Sequence, residues 1–342
     1  MAVGRAPSEA TAPLPSAGAP SPGPVDGPTS RPGGPAQAPP VAYDLIERFA
    51  EANARHRQEW KRYPRNSRAL APGAPDPVLE ARRVTQRERR AADDQSLGFT
   101  FYLSTMNLLP DRELLLYGVV RRADQRVRVQ AITATVMPSD KGTTPYTVEL
   151  NDDGRNGDEA GGDLLYTGSF RPPAGESESF KGAHTVQALA VVDGNRIPNS
   201  AGFLYSIPKS TLTGQFRDEM VDKSLVVHAM VEVWKESRFH LEATIYGGDP
   251  PQAIGWAQNA ATLPRGKHEI DLVFYGLMFY EAGIDGPYLL RYVSLRTTEE
   301  MPNDLSDMLV DAYRTQAYKA SDFTDQPFSS LDAGAPVRPE LP

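Results

Sequence analysis

The chain has 342 residues, a net charge of −8, 40% hydrophobic and 23% charged residues, and no cysteine. That length allows two domains plus appendages. The missing cysteine excludes disulfides, thiolate zinc sites and a cysteine nucleophile, and no run of 18 apolar residues exists to cross a membrane as a helix. The charge is uneven, about +5 over residues 42–92 and about −13 over residues 93–342, so the acidic body argues against a nucleic-acid partner.

Residues 1–40 are nearly all Pro, Ala, Gly and Ser. Such a stretch cannot bury enough apolar surface to offset backbone ordering, which predicts a disordered tether. It also lacks the apolar core of roughly 7–15 residues that a signal peptide needs, so the sequence predicts no export address. In residues 41–63, Leu45, Ile46, Phe49, Ala52, His56 and Trp60 fall near helical spacing before Pro64. Asp76-Pro77 reads as a cap followed by proline at the first helical position, opening a short Arg-rich helix over 79–92. Residues 41–97 are thus expected to form a helical arm strapped across the first sandwich, its basic charge docked on the acidic body.

From Phe99 the period changes to two. Runs at 99–103, 113–120, 126–137, 144–150, 165–170, 184–192 and 202–207 alternate between turn residues, which predicts an immunoglobulin-like sandwich over 98–208. Residues 208–213 read as a joint. In 225–234 every odd position is apolar, and Phe239, Leu241, Ala243 and Ile245 continue that parity beyond Lys235-Glu236-Ser237. A three-residue hairpin would place Val231 opposite Leu241 and Glu232 opposite His240. Strands at 269–274 and 288–295 complete a second, jelly-roll-like or sandwich-like domain over 209–328. Leu305, Met308, Leu309, Ala312 and Tyr313 suggest a short C-terminal helix, and residues 329–342 a disordered tail. The fold class expected is mainly β: two tandem antiparallel sandwiches with a helical arm.

Residues 151–170 form an acidic, glycine-rich loop between two strand-like segments, with its carboxylates expected at the solvent end. Asp152, Asp153, Asn156, Asp158 and Asp163 offer hard oxygen donors for calcium, although no EF-hand register fits. The alternative is a solvated loop whose Asp side chains accept backbone hydrogen bonds. His56, His184, His228, His240 and His268 lack metal-protease spacing, and a Glu232–His240 surface ion pair is the simpler expectation. Ser177, Ser206 and Ser210 have no base nearby in sequence, and no nucleophile elbow, phosphate loop or dinucleotide fingerprint is present. Trp234, Tyr246, Trp256, Tyr275, Phe279, Tyr280, Tyr288 and Tyr292 crowd the second domain, where core packing competes with stacking on a sugar.

The loop resembles the Asp-Asp-Gly-x-x-Gly-Asp…Gly-Asp-Gly-x-Tyr motif of bacterial cell-envelope proteins of the choice-of-anchor X kind. Phe274-Tyr-Gly, residues 282–295, Ala312-Tyr-Arg-Thr and Tyr63-Pro-Arg-Asn-Ser-Arg resemble further blocks of that family. The resemblance implies tandem β-sandwiches outside the cytoplasmic membrane (periplasmic, outer-membrane-associated or extracellular) with no assigned reaction and a protein or glycan partner. One departure is Leu164, where the family usually has glycine after the third Asp. If that position needs φ > 0, Leu164 adds strain of roughly 1–2 kcal/mol. The other is the missing export signal, which suggests a shortened start or an unrecognised route. A hydrolase or hydrolase accessory domain, using carboxylates of the second sandwich, is the alternative from another class. A regulatory scaffold acting through the basic arm is a third.

Overall fold

A computed structural model describes residues 61–137, 144–172 and 178–328, all within one compact unit. The expected tether, the helix up to Trp60 with His56, Ser177 and the tail beyond residue 328 lie outside the described residues. In chain order, β1 (Ser67–Ala69) and α1 (Pro77–Ala81) lead into β2 (Arg87–Arg90), β3 (Leu97–Leu103), β4 (Asn107–Leu108), β5 (Leu114–Arg122) and β6 (Gln125–Arg126). There follow β7 (Ala131–Met137), β8 (Tyr146–Leu150), β9 (Tyr166–Phe170), β10 (Gly182–Val192) and β11 (Asn195–Tyr205). One sheet runs β2-β3-β5-β6 with β9 also paired to β5; the other runs β4-β11-β10-β7-β8. They close on a core of Phe99, Phe101, Leu116, Val136, Val186 and Phe203 with their neighbours. The strict alternation of buried and exposed residues along β10 is what selects this register, since a one-residue slip would turn the apolar set outward.

The second core is built from β12 (Ser210–Val221), β13 (Ser224–Val233), β14 (Ser237–Gly247), β15 (Gln252–Leu263), β16 (Gly266–Phe274), α2 (Leu277–Ala282), β17 (Leu289–Thr297) and β18 (Leu309–Arg314). A three-stranded sheet, β12-β13-β16, faces the sheet β1-β15-β14-β17-β18. Leu225, Val227, Ala229 and Val231 point into this core from one sheet, and Phe239, Leu241, Ala243 and Ile245 from the other. Burying a side chain of the Val, Leu or Phe class contributes roughly 1.5–3 kcal/mol, so these two strands supply a substantial share of the stability of the second sandwich.

The mainly β, antiparallel, sandwich-like architecture is as expected from the patterning, but several elements differ. β13 and β14 are not a hairpin: β13 pairs with β12 and β16, and β14 with β15 and β17. Val231 stands opposite Leu212 and His268, and His240 opposite Ala260 and Arg296. Shared parity requires only that both strands point odd residues into one core, and facing sheets satisfy it as well as adjacent strands do. Residues 305–313 form no helix; β18 begins at Leu309 and pairs with β17, where main-chain bonding at a sheet edge overrides a weak helical spacing. The helix expected over 79–92 stops at Ala81, and Arg87–Arg90 is an edge strand on β3. The arm, as far as it is described, is shared between the sandwiches and not strapped across the first alone: β1 pairs with β15 and Arg82 donates to Ser294 Oγ at 2.9 Å on the second, whereas β2 pairs with β3 of the first. The joint expected at 208–213 is largely the start of β12.

Candidate functional site

The acidic loop links β8 to β9, and therefore one sheet of the first sandwich to the other. An isolated bridge between Asn151 and Thr167 closes its base, with N–H···O distances of 2.9 and 2.8 Å. Inside, carboxylates take up backbone donors that a glycine-rich turn leaves without partners. Asp152 Oδ1 accepts from Gly162 N at 2.6 Å and Asp163 N at 3.1 Å, and its Oδ2 from Leu164 N at 3.1 Å. Asp158 accepts from Gly154 N at 2.7 Å and Ala160 N at 3.3 Å; Asp153 accepts from Arg155 N at 3.1 Å. Asp163 accepts from Leu165 N at 2.8 Å and from the Arg126 guanidinium at 3.2 Å.

One oxygen each from Asp152, Asp158 and Asp163 lie within 4.8 Å of one another. Asp153 stands outside that group, and Asn156 is an exposed turn residue with φ 53°. The carboxylates are not all at the solvent end, because Asp158 is only 8% exposed. Leu164 has φ 63°, so the position that the motif gives to glycine does require the left-handed region.

The described histidines do not converge, and the Glu232–His240 pair does not form. His240 Nε2 lies 2.9 Å from Gln258 Oε1 across β14 and β15. His228 is held between Asp271 (2.6 Å from Nδ1) and Glu219 (3.0 Å from Nε2) on the outer face of the three-stranded sheet. His184 is stacked on Phe180 at 4.0 Å and donates to its carbonyl at 2.6 Å; burial pushes its pKa below the usual imidazole range. Ser206, fully buried, donates to Asn107 Oδ1 at 2.6 Å and accepts from Leu305 N.

Two buried carboxylates do structural work, one expected from the sequence as a cap (Asp76) and one missed (Asp218). Asp76 caps α1 through Val78 N and Leu79 N and accepts from Thr244 Oγ1 at 3.0 Å and Tyr246 OH at 2.7 Å. Asp218 accepts from Tyr313 OH at 2.5 Å and Tyr318 OH at 2.7 Å. Burial and this bond push the Tyr313 phenol up to about 12. Of the crowded aromatics, Phe279 and Tyr288 are wholly buried, whereas Trp234 and Tyr280 are about half exposed.

The outer face of β11-β10-β7 carries an open groove of about 660 Å³. Its floor has two cross-strand rows, Thr135–Gln187–Ser200 and Thr133–Leu189–Pro198, and Arg89 and Arg90 of β2 form one wall. Single outward-facing Thr, Gln and Ser residues give no sequence signal of a site. Only the basic character of residues 42–92 pointed toward its arginines.

Residues 209–303 match the family described as domain of unknown function (DUF4785) C-terminal domain. Among solved structures, a DUF4785 family protein of Legionella pneumophila is 16% identical, with a TM-score of 0.43. That likeness covers 66% of this chain and 58% of the Legionella chain, so the chain spans little more than half of its length. The chicken CNTN1 FN1-FN3 domains (7% identity, 65% and 72% of the two chains, TM-score 0.22) are more distant. So is a Bacteroides uniformis beta-glucuronidase 3 (12% identity, 58% and 22%, TM-score 0.17). No curated protein matches. The similarity that stands is therefore to DUF4785 in the second sandwich, a family without an assigned function.

Proposed function

We propose that this chain is a non-enzymatic protein of the bacterial cell envelope, of the choice-of-anchor X kind. Its sandwiches would present loops and a polar face to a protein or glycan partner in the periplasm, on the outer membrane or outside the cell. The observation that carries the reading is Leu164, whose φ of 63° fits the glycine of the family's loop motif. The roles of Asp76 and Asp218, which hold a helix cap, backbone and tyrosines, favour a scaffold over a reaction centre. Fractionation of the native bacterium should find the protein in the envelope or the medium; a wholly cytosolic protein contradicts the proposal.

Within that reading, the calcium expectation narrows to Asp152, Asp158 and Asp163. Three carboxylates this close repel one another, and Arg126 is the only cation paired with any of them among the described residues. Calcium requires six to eight oxygens, so backbone carbonyls or water would supply the remainder. A ligand bound only by the folded state stabilises it by mass action. The thermal midpoint should therefore rise with added calcium and fall back with chelator, and an unchanged midpoint identifies the loop as hydrogen-bonded backbone alone.

A further inference from the structure

We propose that the groove across the outer face of β11-β10-β7 binds an acidic glycan, the sugar acids at the Arg89 end and hydroxyl-rich rings over the threonine floor. The inference rests on the envelope reading and deepens it by naming the partner class and the surface. Its first support is charge. On a body that carries about −13 beyond residue 92, none of the described residues lining this groove is acidic, and two are arginines.

The second support is that folding does not use these groups. Among the described residues, no hydrogen bond or ion pair joins the side chains of Arg89, Thr133, Thr135, Gln187 or Ser200 to the rest of the protein. Arg90, by contrast, is paired with Glu88 at 2.7 Å and donates to Gln95 O at 3.1 Å. A planar guanidinium suits bidentate recognition of a carboxylate. Hydroxyls and amides in cross-strand rows, with neighbouring strands roughly 4.7–4.9 Å apart, suit the hydroxyls of a sugar chain.

Third, the arginine wall is held in place. Asn199 is 7% exposed, and its Nδ2 donates to both Arg87 O and Phe99 O at 2.9 Å. Its Oδ1 accepts from Ser200 N at 2.8 Å. One buried side chain therefore stitches β2 and β3 to β11 and fixes Arg89 and Arg90 beside the floor. At the opposite side stands Glu149, the register partner of Thr133 on β8. A uniformly charged strand such as DNA would run from the arginines into this carboxylate, and the floor offers no aromatic ring for a base to stack on. A sugar chain can place its acid at one side and donate a hydroxyl at the other.

The test is calorimetric titration of the full chain with galacturonic-acid oligomers, and separately with neutral glucose oligomers, poly-glutamate and single-stranded DNA. The proposal expects salt-sensitive binding of the uronate oligomer alone. Arg89→Glu should weaken it at least about tenfold, equivalent to about 1.4 kcal/mol. Gln187→Ala should weaken it severalfold, and Arg238→Glu, an exposed arginine on β14, should leave it unchanged. Absence of uronate binding, binding indifferent to Arg89→Glu, or equal binding of poly-glutamate or DNA each overturns the proposal. Fractionation is independent of this titration, so failure of the envelope reading and failure of the glycan site are distinguishable.

Discussion

Leu164 sits in the left-handed region with φ 63°, a conformation that costs a residue with a β-carbon roughly 1–2 kcal/mol. Glycine removes that cost but gives the unfolded chain more freedom, which returns roughly 0.4–1 kcal/mol. Leu164→Gly should therefore stabilise the protein by about 0.5–1 kcal/mol in urea denaturation. A loss of stability would show that packing of the half-buried leucine outweighs its strain. The residue was singled out from sequence because the loop motif prescribes glycine there. Asp76 was legible as a cap, since Asp-Pro before an apolar residue is a local signal. Its bonds to Thr244 and Tyr246 were not, because those partners stand 168 and 170 residues away.

At the scale of elements, local alternation identified most of the strands, and cross-sheet relations stayed hidden. β13 and β14 show why. An apolar stripe records that a face is buried, and says nothing about whether its neighbour in sequence covers it or pairs beside it. β15 escaped because its burial alternates weakly, and β18 because Leu309, Ala312 and Tyr313 fit helical spacing as well as an edge strand. The groove floor was illegible for a different reason: any outward-facing strand residue is polar, and only three-dimensional register assembles Thr135, Gln187 and Ser200 into a row.

α2 depends on close approach. A β-carbon on Gly276 would lie 1.9 Å from Lys223 O and 2.9 Å from Thr324 N, both backbone atoms that a side-chain rotation cannot move aside. Gly276 N also donates to Ser224 Oγ at 3.1 Å. Gly276→Ala is expected to destabilise by about 2–4 kcal/mol, the range of overpacking and a lost buried bond together. Thermal unfolding measures it, and a shift within the range of an ordinary surface substitution would contradict the packing described.

At the scale of the whole molecule, an ionic clasp joins the two sandwiches. Lys181, just before β10 of the first sandwich, reaches Glu300 and Asp304 at 2.7 Å each, and Lys209 reaches Glu300 at 2.5 Å. Asp304 also accepts from Ile207 N at 3.2 Å. The lysine hydrogen bonds pull the Glu300 carboxyl down to about 2 from 4.5. A carboxylate whose pKa falls on folding stabilises above its unfolded value, and that contribution is lost as pH falls through the folded one. The clasp should accordingly weaken between pH 4.5 and about 2, with a modest effect because Glu300 is 44% exposed. Glu300→Gln should flatten the acid limb of a urea-midpoint profile over that window. An unchanged limb would remove Glu300 from the account.

The central proposal is that the outer face of β11-β10-β7, where the side chains of Arg89, Thr133, Thr135, Gln187 and Ser200 are left unpaired among the described residues, meets a partner outside. Photo-crosslinking in the native cell tests it most directly, with the reactive group placed at Gln187 in one variant and at Glu236, beyond β13, in another. The account predicts carbohydrate-bearing envelope material captured from position 187 and not from 236. Equal capture at both positions, or none at 187, would contradict it.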